Sequence, residues 1–505
     1  MTQVDDRVVR EMVERVLSHI QSGWGDRPSP RTGQSAPPPV GALGTAGGFG
    51  AAGAVGWSPV SGAAGRLGQF KDVSQAVAAA KAAQRGLSRL SLEARREICR
   101  AIKDVLRQHA AELGEMEYEE TRIGHRPHKT EKVLSVANNT LGVDDIGTEC
   151  FSGDHGITLE EHAPWGVIGI VTPVTHSLPT LADNAINIIA AGNALVCNPH
   201  PGGKRVAAHG ARLMNEAVQR LKGIDNLICV ITEPTLESAK ELFAHPDVRL
   251  LGITGGPGVV AAALRSGKRA ICAGPGNPPV VVDASADLDN AARCIIEGAS
   301  YDNNLLCLSE KECFVEAAVY EPFMAAMERA GACRLTARQM DELAAMCILP
   351  AKDGGHGAAN REFVGAEPHV IAAKIGLRVS ADCRLLFGPT GADHPFVQAE
   401  QMMPVLPVVK CDSFEQAVEC AKQAEHGFGH TAVIHSRLVD HMTFMGKAMN
   451  TTLYVKNGPS LAGDGWGGEG YGGYSIACST GEGICTPRTY TRLRRCAMID
   501  NLRIL

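Results

Sequence analysis

The stretch GVIGIVT at residues 166–172 is a short apolar run rich in β-branched residues, and it opens a repeating pattern. Similar apolar runs follow at 193–198, 226–232 and 248–254, each preceded by a segment with helical character. Short apolar strands that alternate with helices are typical of βαβ units and of a buried parallel sheet. The sequence therefore predicts an α/β fold that contains a Rossmann-type nucleotide-binding domain.

A second α/β pattern lies further along the chain. Its apolar runs are PPVVVD (278–283), ECFVEAAV (312–319), VLPVVKC (405–411) and TAVIHS (431–436), with a helix predicted over 286–299. A chain of 505 residues is also too long for one hydrophobic core. We therefore predict five segments: an amphipathic helix at 1–21, a Gly/Ala/Pro linker at 22–66, the nucleotide-binding domain at 67–277, a catalytic domain at 278–460 and a C-terminal return at 461–505.

The N-terminal segment has its own character. Residues 4–20 place Val, Met, Leu and Ile at helical spacing, with acidic and basic residues on the other face. Residues 22–66 are rich in Gly, Ala, Pro and Ser, which is typical of a flexible linker. The apolar stripe either folds back onto the body of the protein or anchors the chain to something else, and the long linker favours an anchor.

Composition excludes several classes of function. The formal net charge of -6 is spread without a long basic run, which argues against nucleic-acid binding. None of the 16 cysteines forms a CxxC pair, so we expect free thiols in a reducing cytoplasm and no metal site. No run approaches the roughly 18 apolar residues that a membrane span needs.

One strand-to-helix turn is a candidate phosphate site. In GITGGPGVVAAAL an apolar strand leads into Gly255, Gly256 and Gly258 and then into a helix, so backbone N–H groups at the helix start could face a phosphate. The GxGxxG spacing is absent. An ordinary strand-to-helix turn explains this feature alone equally well.

One cysteine differs from the others in its setting. Cys307, in YDNNLLCLSEK (301–311), lies in the connection between a predicted helix and a predicted strand, and reactive groups are concentrated in such connections. Cys272 and Cys313 belong to apolar strands and are interpreted as core residues. Cys307 is therefore the candidate nucleophile.

Several motifs in order carry a family resemblance. ITGG, AGPGNPPVVVD, NNLLCLSEK, EQMMPVLPVV and a terminal GEGYGGYS…TPRTYTR together resemble the aldehyde dehydrogenase superfamily over roughly residues 70–505. Among its branches the chain is most similar to the CoA-acylating aldehyde dehydrogenases of bacterial microcompartments, of the ethanolamine- and propanediol-utilisation type. The resemblance implies a nucleotide-binding domain, an α/β catalytic domain and small oligomerisation strands, with NAD and coenzyme A as cofactors.

The resemblance also assigns roles to catalytic residues. It makes Cys307 the nucleophile that adds to a short aliphatic aldehyde, passing through a thiohemiacetal to a thioester. The developing oxyanion would be held by the Cys307 N–H and by a second donor. In VTPVTHSLPT, Thr175 occupies the place of the asparagine found in hydrolytic relatives, so the second donor is either its hydroxyl or a main-chain group.

The cofactor residues implied by the resemblance lie in five segments. Glu400 matches the glutamate that binds the nicotinamide ribose, although an exposed helix-end carboxylate is the alternative. Asn198 stands where hydrolytic relatives commonly carry a lysine, so the choice between NAD and NADP as cofactor stays open. His200 is either a ribose contact or an ordinary loop residue. The remaining implied cofactor-binding residues are Thr172, Pro173, Gly255, Gly256 and Gly274.

The departure at AICAGPGNPP points to the acyl acceptor. Hydrolytic relatives carry a glutamate there that activates water, whereas Cys272 and Ala273 occupy the matching positions here. A thioester that water attacks slowly can wait for the thiol of coenzyme A. The alternative is that another carboxylate, such as Glu310 or Glu400, supplies the base. A hydrolytic enzyme, a phosphorylating reductase and a decayed cargo or scaffold protein are the competing functions.

The resemblance finally implies partners. Helix 4–20 with its linker matches the layout of a tag that directs enzymes to microcompartment shell proteins, by helix-in-groove recognition. Segments 142–163 and 484–505 resemble the strands through which superfamily members pair, so a homodimer or tetramer in the lumen of a microcompartment is expected. The sequence does not separate acetaldehyde, propionaldehyde and lactaldehyde as substrates.

Overall fold

The structure, a computed structural model, describes residues 65–350 and 356–500. The predicted helix at 4–20, and all of the predicted linker at 22–66 except its last two residues, lie outside that range. Within it, no helix is both long and apolar enough to cross a membrane.

The first half of the described chain alternates strands and helices after an initial run of helices. Its strands are β1 Gln69–Phe70, β2 Glu149–Gly153, β3 Gly156–Pro164, β4 Val167–Thr172, β5 Ala194–Pro199, β6 Ile228–Ile231, β7 Val248–Thr254 and β8 Ala270–Ala273. Its α-helices are α1 Val73–Leu87, α2 Leu92–Gln108, α3 Ala110–Thr121, α4 Arg126–Asn139, α5 Ser177–Ala190, α6 Lys204–Lys222, α7 Leu236–Ala244 and α8 Pro257–Leu264.

The predicted parallel sheet is present in this half. Its strand order is β1-β6-β5-β4-β7-β8, and every pair is parallel. The chain moves outward from β4 through β5 to β6, then returns to place β7 on the other side of β4. Ligands of open α/β sheets bind at such a reversal, beyond the carboxyl ends of the strands. The crevice between the ends of β4 and β7 is thus the expected nucleotide site.

The helices that pack on this sheet follow local signals in the sequence. Ser91 caps α2 by accepting a hydrogen bond from the Ala94 N–H at 3.2 Å, as its position before the helix predicts. Helix α5 is buried along its whole length, and its polar side chains Asp183 and Asn184 hydrogen-bond to the side chains of Thr140 and Ser475. It begins five residues after β4 ends and so fixes the turn between them.

The second half of the described chain has a similar alternation. Its strands are β9 Pro279–Val282, β10 Glu312–Glu316, β11 Cys333–Arg334, β12 Ile348–Leu349, β13 Ala358–Ala359, β14 Leu386–Thr390, β15 Val405–Cys411, β16 Thr431–His435, β17 Leu453–Lys456, β18 Ile476–Ala477, β19 Gly483–Ile484 and β20 Thr491–Ile499. Its α-helices are α9 Leu288–Ser300, α10 Tyr320–Arg329, α11 Ala337–Cys347, α12 Pro368–Ala373, α13 Pro395–Gln398, α14 Phe414–Ala424 and α15 Val439–Met449.

A seven-stranded parallel sheet organises this half, in the order β11-β14-β15-β10-β9-β16-β17. Strands β9, β10, β15 and β16 match the predicted apolar runs within a few residues. The run at 312–319 ends as a strand at Glu316 and continues as a single 3₁₀ turn. The sequence did not predict β11, β14 or β17.

A separate antiparallel sheet brings the segment that precedes β4 beside the C-terminal segment of the described chain. It pairs β2 with β3 and β3 with β20, so that segment 142–163 and the C-terminal segment lie side by side. The side chains of Phe151, Leu493 and Ile499 on this sheet are 54%, 65% and 73% exposed. The strands expected from the family resemblance are therefore present, with apolar side chains facing outward.

Candidate active site

The residues singled out from the sequence follow strands of the first sheet and precede strands of the second. Thr172 ends β4, and Gly255 directly follows β7, its parallel neighbour. Gly274 follows β8 at the same carboxyl edge. Cys307 and Glu400, by contrast, lie in the connections that lead into β10 and β15.

The turn before the nucleophile has an unusual backbone. Asp302, Asn303 and Asn304 have φ values of 47°, 55° and 65°, which is the left-handed region that side-chain-bearing residues rarely adopt. Such conformations cost on the order of 1–3 kcal/mol each and persist only where surrounding contacts fix them. The anchors of this turn therefore determine where Cys307 lies.

The first anchor is a buried ionic cluster. Asp302 Oδ2 accepts hydrogen bonds from Lys129 Nζ at 2.9 Å and Lys132 Nζ at 2.5 Å. All three side chains are fully buried. Burial alone would raise the pKa of Asp302, but the two lysines together hold it below its ordinary value. Lys132 Nζ also donates to the Thr175 carbonyl oxygen at 3.0 Å, which joins the nucleophile turn to the turn after β4.

The second anchor involves the two asparagines and Lys311. Asn303 Nδ2 donates to the Gly365 carbonyl at 3.0 Å, and Arg384 donates to Asn303 Oδ1 at 2.9 Å. Lys311 Nζ uses all three donors, on Asn304 Oδ1 (2.6 Å), Asn304 O (2.9 Å) and the Leu306 carbonyl (3.0 Å). The buried Lys311 ammonium group is thus held against the carbonyl of Leu306, the residue directly before the nucleophile.

A small cavity with an enclosed volume of about 20 Å³, set in a recess of about 310 Å³ that is open to solvent, borders the nucleophile. The Cys307 side chain is half-buried in its wall. The cavity is lined by His176, Leu306, Cys307, Leu308, Asp464, Trp466, Gly473, Tyr474 and Ile476.

The environment of Cys307 favours the protonated thiol in the resting protein. Burial raises the pKa of Cys307 to about 12, and the charges of Glu400 and Cys478 act in the same direction. Lys311 acts in the opposite direction and is the cation that would stabilise the thiolate. Burial also lowers the pKa of Lys311 to about 8, so its ammonium form still predominates at pH 7.

The carboxyl groups near Cys307 differ in what they can do. Glu310 is fully buried, and its two oxygens accept from the Ser460 N–H at 2.7 Å and the Ser460 hydroxyl at 2.6 Å. These two hydrogen bonds hold the loop that contains Ser460, and Glu310 does not line the cavity. Ala273 is buried at the end of β8 and carries no base. Burial raises the pKa of Glu400, against the opposing effects of Lys311 and a hydrogen bond from the Gly276 backbone.

A histidine that sequence reasoning did not identify lies beside the nucleophile. A Cβ atom added to Gly276 would lie 2.7 Å from the Cys307 carbonyl oxygen and 2.9 Å from His430 Cγ, so both groups pack against this glycine. His430 Nδ1 is 2.8 Å from the Thr431 hydroxyl, whereas its buried Nε2 has no hydrogen-bond partner among the described residues. Burial lowers the pKa of His430 to about 4, with a smaller effect of Lys311, so the ring is neutral at pH 7.

The expected cofactor residues lie around the crevice between β4 and β7. The His200 N–H donates to the Thr172 carbonyl at 3.0 Å, and Pro173 follows directly in the turn after β4. The Asn198 side chain points instead toward α7, where its Oδ1 accepts from the Ser238 hydroxyl at 2.6 Å. Gly256 begins α8, whose first turn leaves N–H groups without helical partners.

Gly274, at the same edge of the sheet, is also closely packed. A Cβ atom there would lie 2.5 Å from the Ser479 hydroxyl oxygen, so a larger residue would require the Ser479 side chain to move. Within residues 65–350 and 356–500, no cluster of three or more His, Cys, Asp or Glu side chains is arranged to hold a metal ion.

Apart from the nucleophile, the polar residues that line the cavity are not the ones that the sequence predicted. Thr175 is not among the lining residues, whereas its neighbour His176 is. Asp464, Trp466 and Tyr474 were assigned only to a C-terminal return, and they form much of the wall. The Gly-rich stretch around these three residues was the one signal that could have marked an approach of backbone to a ligand.

Comparison with known proteins is consistent with this geometry. Residues 63–346 match the model of the aldehyde dehydrogenase family. The chain is 44% identical to the acetylating acetaldehyde dehydrogenase EutE of Salmonella typhimurium, over 87% of this chain and 94% of that protein.

Two solved structures show the same similarity. A propionaldehyde dehydrogenase from the fucose-utilisation microcompartment of Clostridium phytofermentans superposes with a TM-score of 0.84 at 42% identity, covering 87% of this chain and all of that chain. The propionaldehyde dehydrogenase of Rhodopseudomonas palustris, solved with bound CoA and an acylated cysteine, gives a TM-score of 0.84 at 38% identity, with the same coverage.

Proposed function

Because the chain belongs to the aldehyde dehydrogenase family, as a CoA-acylating member, we propose that it converts a short aliphatic aldehyde, NAD⁺ and coenzyme A to an acyl-CoA and NADH, with Cys307 as the nucleophile. The observation that carries the proposal is a cysteine in the wall of a cavity, with alanine where hydrolytic relatives carry the water-activating glutamate. A thioester formed there is protected from water and available to a thiol.

The residues of the chain would divide the work as follows. The Cys307 sulfur adds to the aldehyde carbon, and Lys311 stabilises the thiolate that does so. The oxyanion would accept hydrogen bonds from the Cys307 N–H and from a second donor, which stays either the Thr175 hydroxyl or a main-chain group. NAD⁺, when bound, takes the hydride that leaves the thiohemiacetal carbon. The first turn of α8 would hold its pyrophosphate, and Glu400 its nicotinamide ribose.

The decisive test is the dependence of turnover on coenzyme A. We expect the purified protein to form NADH from propionaldehyde and NAD⁺ only when coenzyme A is present, after a first equivalent per active site. The product should be propionyl-CoA, identified by mass spectrometry. Equal steady rates without coenzyme A, with propionate as product, would mean that a carboxylate activates water and that the enzyme is hydrolytic. Dependence on inorganic phosphate would instead identify the phosphorylating type.

We propose His430 as the base that receives the proton of the coenzyme A thiol. Its unpartnered Nε2, and its packing on the same glycine, Gly276, as the Cys307 carbonyl oxygen, support this role. Replacing His430 by alanine should leave the first equivalent of NADH fast and slow the steady rate by about 10²–10⁴-fold. Because the folded pKa of His430 is about 4, wild-type thiolysis should not lose activity to His430 protonation between pH 8 and pH 5. A variant that loses the fast first equivalent would contradict the assignment.

The N-terminal segment is proposed to direct the enzyme into a microcompartment. The support is the amphipathic pattern at 4–20, the linker behind it and the microcompartment origin of the C. phytofermentans relative. Deleting residues 1–22 should leave kcat and KM unchanged and abolish co-purification with shell proteins. A deletion that inactivates the soluble enzyme would show that the helix belongs to the fold.

The exposed apolar face of β2, β3 and β20 is proposed to pair protomers. The exposed side chains of Phe151, Leu493 and Ile499 support this role, because exposed apolar patches of this kind are typical of interfaces. A homodimer or tetramer would bury them. Light scattering on the protein with Leu493 and Ile499 replaced by glutamate should report a smaller species than wild type.

A further inference from the structure

Two polar side chains in the cavity wall have no role in the proposed chemistry. His176 and Asp464 are each only 4% exposed, and both line the cavity that contains Cys307. His176 Nδ1 has no hydrogen-bond partner among the described residues. Asp464 Oδ1 accepts from the Gly473 N–H at 2.9 Å. Much of the remaining wall is hydrocarbon, from Leu306, Leu308, Trp466 and Ile476.

These two groups are poorly matched to a plain alkyl aldehyde. When a substrate fills the cavity it displaces water, and a buried polar group left without a partner costs roughly 1–3 kcal/mol. The methyl or ethyl group of acetaldehyde or propionaldehyde offers no hydrogen bond in return. A hydroxyl group both donates and accepts, so a single hydroxyl satisfies two such side chains.

The charge states of Asp464 and His176 further restrict the kind of substrate group that they can bind. Burial raises the pKa of Asp464 well above its ordinary value, and the nearby carboxyl of Asp183 acts in the same direction. Burial lowers the pKa of His176 well below its ordinary value, assisted by Lys132 and Lys129. Burial thus disfavours the charged form of both groups, so they suit a neutral polar group better than a carboxylate or an ammonium group of a substrate.

The aromatic part of the wall is fixed in place. The Trp466 ring meets the edge of Tyr301 at 5.0 Å between centroids, and Tyr301 stacks on His128 at 4.2 Å. The Tyr474 hydroxyl is 2.9 Å from the Ser135 hydroxyl, and its ring lies 5.7 Å from that of His176. A small substrate in this cavity would thus lie between fixed aromatic walls, with Cys307, Asp464 and His176 all part of the lining.

We propose that the preferred substrate is a short 2-hydroxyaldehyde, whose hydroxyl group hydrogen-bonds to Asp464 and His176 while its carbonyl carbon faces Cys307. The inference rests on the proposed function and specifies its substrate class. It changes no step of the chemistry, since the hydroxyl group is bound and does not react. The expected product is a 2-hydroxyacyl-CoA.

Matched substrate pairs test the proposal on the wild-type enzyme. Lactaldehyde differs from propionaldehyde, and glycolaldehyde from acetaldehyde, by one hydroxyl group. With NAD⁺ and coenzyme A present, and concentrations corrected for the unhydrated aldehyde, we expect kcat/KM to favour the hydroxylated member of each pair by at least about tenfold. Equal values, or a preference for the alkyl aldehydes, overturn the proposal.

Substitutions at Asp464 locate the source of the preference. In Asp464→Leu the ratio of kcat/KM between lactaldehyde and propionaldehyde should fall to about one. In Asp464→Asn, which keeps an acceptor for the Gly473 N–H and a donor for the substrate, most of the ratio should remain. A ratio that does not change in Asp464→Leu overturns the assignment of this residue, and the wild-type pairs decide the substrate class even if that variant fails to fold.

The result is separable from the proposed function. CoA-dependent turnover without any preference for hydroxylated aldehydes overturns the hydroxyaldehyde proposal and leaves the acyl-CoA chemistry standing. Absence of CoA-dependent turnover with all four aldehydes overturns both.

Discussion

Replacing Cys307 by alanine should lower CoA-dependent NADH formation by at least about 10⁴-fold, because loss of a covalent nucleophile removes the path through the enzyme-bound intermediate. A free aldehyde has no electron-rich sulfur adduct from which hydride can leave. Neither the first equivalent of NADH nor an acylated protein of increased mass should form. The measurements are NADH absorbance and intact-protein mass spectrometry.

Sixteen cysteines make the choice of control important. Cys294 is half-buried like Cys307 and lies 13 residues before it, on helix α9, away from the cavity. Cys294→Ala should retain activity within about twofold, as expected for a surface substitution. If Cys307→Ala kept substantial activity and Cys478→Ala lost it, the nucleophile would be the half-buried Cys478, the other cysteine whose charge is felt at this site.

Replacing Asp302 by alanine should be among the most destabilising single changes in the described chain. The substitution leaves Lys129 and Lys132 buried without their counter-charge, and breaking a buried pair in this way typically costs about 3–5 kcal/mol. It also releases the left-handed turn that positions Cys307. We therefore expect a lower urea midpoint together with a fall in kcat.

A surface ion pair provides the matched comparison. Arg338 and Glu342 form a pair at 2.8 Å on α11, and their side chains are 88% and 41% exposed. Exposed pairs contribute little because water competes for both charges. Arg338→Ala should leave the urea midpoint and kcat close to wild type. Asp302→Ala with a midpoint no lower than that of Arg338→Ala would show that the buried cluster does not hold the turn.

The sequence predicted the parts of the fold in which local pattern and burial coincide. Strands β4, β7 and β15 were recognised within one residue, because each is a mainly apolar, mainly buried run of six or seven residues. Strand β14, in contrast, reads LFGPT, and glycine and proline ordinarily indicate a turn. The position of β14 between β11 and β15 depends on pairing with strands that are distant in the sequence, and hydrophobic periodicity carries no information about such pairing.

The same distinction applies to the active site. Cys307 was found because its neighbours in the chain form a motif. His176, His430 and Asp464 reach the site from segments more than 100 residues away from it, in short turns without a spacing that marks chemistry. Their proximity follows from the order of strands in two sheets, and only the structure supplies that order.

The ion pairs of Asp302 also bear on how the polypeptide is made. Lys129 and Lys132 leave the ribosome 173 and 170 residues before the aspartate that neutralises them. Until that partner arrives, hydration of two ammonium groups opposes closure of the interior around α4. We therefore expect the core of the nucleotide-binding half to exclude water only after the part of the catalytic half that contains Asp302 has been synthesised. The two halves on either side of the predicted boundary near residue 277 should then unfold in a single cooperative transition.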